Sequence, residues 1–125
     1  MGTILIVAGR DRGSYYSLPE PSTVIGRDES CDIQIVDEMI SRRHTKVTRR
    51  EEGDALRFFI SDMQSANGVF VNGRQVSEEV ELNDGDTIKI GESKLFFSTK
   101  RFRDLDTAMM YFKQRGQRDK GTIVR

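Results

Sequence analysis

The chain has 125 residues, and its 20 lysines and arginines are balanced by 20 aspartates and glutamates. This length gives one domain with a sizeable core, and the balance excludes a protein that binds nucleic acid through bulk positive charge. The single cysteine, Cys31, excludes an intramolecular disulfide framework. The sequence has neither a run of about 18 apolar residues nor the start of a secretory signal, so we expect a cytoplasmic protein with no membrane partner.

Short segments rich in β-branched and aromatic residues recur along the chain and are separated by turn residues. In chain order, strands are predicted at 4–7, 15–18, 23–25, 33–36, 45–50, 56–61, 69–71, 87–90 and 94–98, with further short strands at 76 and 80–82. The Asn72-Gly73 pair predicts a tight hairpin turn, because both residues adopt positive φ readily. Many short strands at a spacing of about ten residues indicate an all-β sandwich or barrel.

After residue 100 the apolar pattern changes to a helical period. Apolar residues at i, i+3, i+4 and i+7, flanked by charges that suit the helix dipole, predict an amphipathic helix at about 104–115. The apolar face consists of Leu105, Ala108, Met109 and Phe112. We expect this helix to pack on the sandwich edge, with a partner-binding helix as the alternative. The chain is therefore divided into a β domain at 1–100 and a C-terminal part at 101–125, which holds the helix and a flexible basic tail.

Residues 100–125 hold eight basic residues against three aspartates. Such a charge excess at a terminus is more typical of a solvated end than of a docking segment. No aromatic residue is interleaved with the basic residues of the tail, so we expect no nucleic-acid partner. Thr122 also lies in this tail, with basic residues near it at 120 and 125.

Three motif blocks follow one another at restrictive spacing. They are Gly26-Arg27, then Ser41-Arg42-Arg43-His44, and then Ser65-Ala66-Asn67-Gly68-Val69-Phe70-Val71-Asn72-Gly73. Each block alone carries little information. Together they resemble the forkhead-associated (FHA) domain, a phosphothreonine-binding β-sandwich, and the resemblance extends from about Ile4 to Phe97.

The resemblance implies an all-β, FHA-type sandwich of about eleven short, mainly antiparallel strands with the C-terminal helix added. It also implies four phosphothreonine-binding residues: Arg27, Ser41, Arg42 and Asn67. A guanidinium presents paired donors to phosphate oxygens, so Arg27 is expected to contact the phosphate, with Ser41 and Arg42 adding further contacts. Asn67 is expected to bond the peptide backbone. The alternatives are an Arg27 that pairs with a neighbouring acidic residue and a Ser41 that only shapes a turn.

Other positions are implied to support the site. They are Gly26, His44, Gly68, Asn72 and Gly73, with Ser65 and Met39 as auxiliary contacts. His44 is the single histidine. Without a nucleophile motif or a second metal ligand near it in the sequence, we expect it to hold the Ser41 loop in shape rather than to catalyse or to bind a metal.

Two features concern affinity and specificity. In the family, the position before Asn67 often carries a hydroxyl that touches phosphate, and here it is Ala66, so one donor worth about 1 kcal/mol is missing. In the family, side chains near the Ser41 loop read the third residue after the phosphothreonine, and the apolar Met39 and Ile40 in that loop favour an aliphatic ligand residue there. The alternative is that Met39 or Ile40 packs into the sandwich edge.

The sequence therefore predicts a phosphothreonine-peptide binding module that acts as an adaptor downstream of serine/threonine kinases. Its expected partner is a Thr-phosphorylated protein or peptide. A phospho-independent scaffold with the same fold is the alternative. We expect neither an enzyme nor a cofactor, because the sequence has no nucleophile elbow, metal-ligand cluster or Gly-rich phosphate loop.

Overall fold

The structure, a computed structural model, describes residues 2–18, 21–100 and 106–114. These residues form eleven strands: β1 (Gly2–Ala8), β2 (Tyr15–Leu18), β3 (Ser22–Gly26), β4 (Ile33–Gln34), β5 (Thr45–Glu52), β6 (Ala55–Asp62), β7 (Val69–Val71), β8 (Arg74–Gln75), β9 (Val80–Leu82), β10 (Thr87–Ile90) and β11 (Ser93–Ser98). One sheet has the order β2-β1-β11-β10-β7-β8 and the other β4-β3-β5-β6-β9. All pairings are antiparallel except β3 with β4. The prediction of an all-β sandwich with mainly antiparallel strands is confirmed.

The core lies between the two sheets because alternate residues of each strand point inward. In β1, Ile4 and Ile6 are fully buried in the main core, whereas Leu5 belongs to a separate cluster on the opposite face of the sheet. Phe58 of β6 and Phe97 of β11 meet across the sandwich with ring centroids 5.2 Å apart in an edge-to-face arrangement. Burying each large aliphatic or aromatic side chain contributes about 1.5–3 kcal/mol.

Two valines differ from the sequence-based prediction. β4 ends at Gln34, so Val36 lies outside any strand and its exposed fraction is 44%. Its backbone N–H donates to the carboxylate of Asp11 at 2.9 Å, which takes the chain away from the sheet. Val76 follows β8 rather than lying in a strand, yet it is buried and its N–H donates to the Val69 carbonyl.

Residues 106–114 form a helix, α1, on the outer face of the six-stranded sheet. Ala108 is buried in a cluster with Leu5 and Phe96, and the Phe96 ring packs edge to face on Tyr111 and Phe112 at centroid distances of 5.9 and 5.1 Å. The helix therefore packs on the sandwich, but the predicted place is wrong, because it lies on the outer face of a sheet and not on the sandwich edge. Leu5 of β1 and Phe96 of β11 face outward and form the apolar surface on which the helix packs.

Parts of the C-terminal prediction lie outside the described residues. These are Leu105, the basic tail at 115–125 and Thr122 within it. Within the described ranges, no helix is long and apolar enough to span a membrane.

Introducing arginine at position 108 tests the packing of α1. Ala108 is 1% exposed, so we expect Ala108→Arg to lower the free energy of unfolding by about 1–3 kcal/mol through overpacking and burial of a charge. Met110→Arg on the same helix is the matched control, because Met110 is 62% exposed and should change stability by less than about 0.5 kcal/mol. Urea denaturation of both variants measures the difference. Equal effects would contradict the packing described above.

Candidate functional site

Arg27 follows β3 at the end of the sandwich where several loops meet. Its backbone N–H donates to the Ser41 carbonyl at 3.0 Å, and its Nε donates to the Ile40 carbonyl at 2.9 Å. Gly26 makes this close approach possible, because a Cβ at that position would lie 2.1 Å from the carbonyl oxygen of Arg42. The guanidinium is thus oriented through one nitrogen and keeps its two terminal amino groups for a ligand.

Arg42 and Arg43 are exposed and close enough to Asp28 to act on its charge. The pKa of the Asp28 carboxyl lies below its usual value of 3.8, first through hydrogen bonds from the side chain and backbone of Ser30 and then through attraction to the two arginines. In the part of the chain that the structure describes, none of Arg27, Arg42 and Arg43 forms an ion pair. Among the described residues, Arg27 therefore does not form the alternative ion pair with a neighbouring acidic residue.

The Ser41 hydroxyl connects two loops. Its oxygen accepts a hydrogen bond from the backbone N–H of Ala66 at 3.0 Å. Because a hydroxyl both donates and accepts, its proton remains available for an anion. Ser41 is half-buried, so the group is reachable while its position is fixed.

His44 is fully buried and bridges the same two loops. Its Nδ1 accepts from the Ser41 N–H at 3.0 Å, which leaves the proton on Nε2, and Nε2 donates to the Gly68 carbonyl at 2.7 Å. The backbone N–H of His44 donates to the carbonyl of Ile25 in β3 at 2.9 Å. One side chain therefore sets the separation of the Ser41 loop from the Gly68 loop.

Asn67 lies exposed beside Ser41 and Met39. Its amide nitrogen donates to the Met39 carbonyl at 2.8 Å, which turns the amide oxygen into an oriented acceptor for a peptide N–H. Gly68 has φ +85°, and its N–H donates to the Ser65 hydroxyl oxygen at 2.9 Å. Ser65 thus shapes the turn. The sequence alone did not indicate where its side chain points.

Asn72 and Gly73 lie at the other end of β7 from Gly68. They have φ values of 52° and 87° and form the turn between β7 and β8. The Asn72 side chain donates to Asp86 and accepts from the Thr87 N–H, which fastens this turn to β10. The site therefore brings together Arg27, Ser41, Arg42, His44 and Asn67, but not the Asn-Gly turn.

The neighbours Met39 and Ile40 differ in exposure. Ile40 is 1% exposed and belongs to the core, so the packing alternative holds for this residue, whereas Met39 is 43% exposed. Met39 lines an open cleft of about 270 Å³ beside the loops. This cleft was not predictable from the sequence, because its walls come from segments that are distant in the chain.

Asp37 is a further residue whose role the sequence reading missed. Its carboxylate accepts hydrogen bonds from the Met39 N–H at 2.8 Å, the Glu92 N–H at 2.9 Å and the Ser93 hydroxyl at 2.8 Å. These bonds fasten the turn between β10 and β11 to the loop that carries Met39. The signal available in the sequence was the position of this aspartate, four residues before Ser41.

The arrangement is suited to binding an anion. Exposed guanidinium groups, a hydroxyl and an amide lie on loops that a buried histidine holds together. Among the described residues, no group of three or more His, Cys, Asp or Glu side chains is placed to hold a metal ion.

Comparison with known proteins agrees with this geometry. The family model described as FHA domain matches residues 23–91, which is more than half of the chain. The chain belongs to the FHA domain family. The match includes every residue that the site brings together.

The glycogen accumulation regulator GarA of Mycolicibacterium smegmatis is 38% identical over 100 residues, which cover 78% of this chain and 60% of that protein. The chain thus spans less than two thirds of this relative. The FHA domain of FhaA, solved in complex with the intracellular domain of Rv3910, has a TM-score of 0.64 and 33% identity, over 78% of this chain and 99% of that one. Mycobacterium tuberculosis EmbR, solved with a low-affinity phosphopeptide, has a TM-score of 0.71 and 29% identity, over 82% of this chain and 25% of that one.

The hydrogen bonds of Asp37 predict a pH dependence of stability. Partial burial alone would raise the pKa of this carboxyl, but the bonds from Met39, Ser93 and Glu92 outweigh it and hold the pKa below the usual value of 3.8. A carboxyl with a depressed folded-state pKa stabilises the fold above its unfolded pKa, and this contribution is lost as the pH falls through the folded-state value.

We therefore expect Asp37→Asn to be less stable than the unmodified chain near pH 7 and to lose less stability on acidification below about pH 4. Urea denaturation at a series of pH values measures this. Asp54→Asn, in the exposed connection between β5 and β6, is the control and should follow the unmodified chain. A constant gap between Asp37→Asn and the unmodified chain from pH 7 to pH 3 would contradict the assignment.

Proposed function

We propose that this chain binds phosphothreonine peptides and acts as an adaptor downstream of serine/threonine kinases. The observation that carries the proposal is the set of guanidinium groups at Arg27, Arg42 and Arg43, which have no acidic ion-pair partner in the described residues. Exposed cations held on a rigid frame, beside the oriented hydroxyl of Ser41, match the charge and the acceptor oxygens of a phosphate.

The energetics support micromolar binding. A hydrogen bond to a charged group contributes about 1.5–3 kcal/mol net, and a dissociation constant of 1 μM corresponds to about 8 kcal/mol. Three or four such bonds from Arg27, Arg42 and Ser41 contribute about 4.5–12 kcal/mol before ordering costs, a range that includes this value. The oriented Asn67 amide adds a bond to the peptide backbone, which favours a peptide over free phosphate.

Relatives within the family support the same conclusion. EmbR is described in complex with a phosphopeptide, and FhaA in complex with the intracellular domain of another protein. We extend this behaviour to the present chain, as a binding module without enzymatic activity, in the cytoplasm, with a Thr-phosphorylated partner. We assign the binding function to residues 1–100 and a supporting role to residues 101–125.

A phospho-independent scaffold is the second candidate, and one observation favours it. Ala66 is exposed next to Ser41 and contributes only its backbone N–H, which is already bonded to the Ser41 hydroxyl. A site without a hydroxyl at position 66 binds phosphate more weakly. The two candidates differ in whether binding requires the phosphate, and substitution of Arg27 separates them.

Replacing Arg27 tests the proposed function directly. We expect Arg27→Ala to weaken binding of a phosphothreonine peptide by at least about tenfold, because one or more charge-assisted hydrogen bonds are lost. Arg50→Ala is the matched control: it also removes an exposed arginine, but one that pairs with Glu79 near the far end of β5. Isothermal titration with phosphorylated and unphosphorylated copies of one peptide library gives the affinities. Binding that ignores both the phosphate and Arg27 would favour the scaffold.

Restoring a hydroxyl at position 66 tests the missing donor. We expect Ala66→Thr to raise phosphopeptide affinity by about fivefold, the equivalent of about 1 kcal/mol, and to leave binding of the unphosphorylated peptide unchanged. Ala66→Val is the matched control, since valine has the shape of threonine without its hydroxyl. An equal gain for valine and threonine would assign the effect to shape and not to a phosphate contact.

A further inference from the structure

An open cleft of about 270 Å³ lies beside the arginine-bearing loops. Three separate segments form its walls: the chain after β1, the loop after β4 and the turn between β10 and β11. The residues that line it are Gly9, Arg10, Val36, Asp37, Glu38, Met39 and Glu92. The cleft has a stable shape, because Asp37 bonds the turn at Glu92 to the loop at Met39.

Part of the lining, called the floor below, consists of the exposed apolar side chains of Val36 and Met39. Val36 and Met39 are 44% and 43% exposed, and they account for two of the four large hydrophobic side chains that stand exposed in the described residues. Two exposed apolar side chains that line the same concave site are a feature of ligand contact rather than of ordinary surface.

The acidic part of the lining, called the rim below, consists of Asp37, Glu38 and Glu92. Glu38 and Glu92 are exposed, and neither forms an ion pair within the described ranges. Asp37 is also ionised, with its pKa held low by its three hydrogen bonds, and Arg10 supplies a single opposing charge. The cleft therefore carries net negative charge beside a site that carries positive charge.

The two sites share a backbone segment. The Met39 carbonyl accepts from Asn67 and the Ile40 carbonyl accepts from Arg27, so the segment 39–41 separates the arginine from the cleft. An extended peptide covers about 3.3–3.6 Å per residue. Because both sites adjoin this short segment, we expect a ligand residue a few positions from the phosphothreonine to reach the cleft.

We propose that this cleft binds a lysine or arginine side chain of the Thr-phosphorylated partner. The aliphatic stem of that side chain lies on Val36 and Met39, and its cationic end reaches Glu38 and Glu92. The proposal rests on the proposed function and adds a ligand preference to it. The expected ligand is thus a peptide with a phosphate and a cation a few residues apart, which matches the paired positive and negative surfaces.

Peptides that differ at one position test the proposal with the full chain. A fixed phosphothreonine peptide carries lysine, norleucine, alanine or glutamate at each position two to four residues to either side of the phosphothreonine. At one or more of these positions we expect lysine to bind about three- to tenfold more tightly than norleucine and glutamate to bind most weakly. The preference for lysine should shrink in 0.5 M salt, because the rim is exposed.

Removing the rim charges distinguishes the cleft from general attraction. In the double variant E38Q/E92Q, lysine and norleucine peptides should bind equally, while the norleucine peptide keeps its original affinity. The double variant E51Q/E78Q, which removes two exposed glutamates outside the cleft, should keep the preference for lysine. Circular dichroism and thermal melts verify that each variant is folded.

The outcomes separate the two proposals. If the alanine peptides bind only when phosphorylated but lysine is never preferred to norleucine, or if the preference survives in E38Q/E92Q, the cleft proposal is wrong and the proposed function stands. If binding does not depend on the phosphate at all, both proposals are wrong. A preference for norleucine over lysine would also overturn the proposal. It would mean that only the apolar floor contributes to binding, in line with the aliphatic ligand residue expected from the sequence.

Discussion

The buried imidazole of His44 is the contact on which the geometry of the site depends. It accepts from the Ser41 N–H and donates to the Gly68 carbonyl, so two loops that are distant in sequence are held at a fixed separation. Without this bridge, the Ser41 N–H and the Gly68 carbonyl would each lack this hydrogen bond near the core, at a cost of about 1–3 kcal/mol for each group. The arginines and the hydroxyl can face solvent because this bridge, and not a ligand, keeps the loops in place.

In the proposed function, preorganisation allows a small site with few donors to reach useful affinity. Binding costs about 0.5–1.5 kcal/mol for each rotamer-rich side chain that it immobilises. The Nε bond of Arg27 to the Ile40 carbonyl and the Asn67 bond to the Met39 carbonyl meet part of this cost during folding. Gly26 permits the first of these bonds by its lack of a Cβ, which links a backbone constraint directly to the orientation of a guanidinium.

Local patterns predicted much of this protein, and contacts between distant segments were not predictable. Alternation and turn residues indicated the strands, and the family resemblance gave the sandwich and the residues from Arg27 to Asn67 that meet in the site. The position of α1 depended on Leu5 and Phe96 facing outward, which a single strand pattern does not indicate. The cleft escaped prediction because Val36 leaves its strand through a bond to Asp11, a contact between residues that are 25 positions apart in the chain.

The same backbone segment, 39–41, serves opposite electrostatic purposes on its two sides. Its carbonyl oxygens orient Arg27 and Asn67 on the side of the arginines, while the Met39 side chain lies in the acidic cleft. A net charge of zero for the whole chain therefore conceals two oppositely charged surfaces within a few residues of each other. Such surfaces attract opposite ends of one ligand. In the proposed complex, the charge pattern therefore fixes the direction of the bound peptide as well as contributing to its affinity. A uniformly basic surface would not fix this direction.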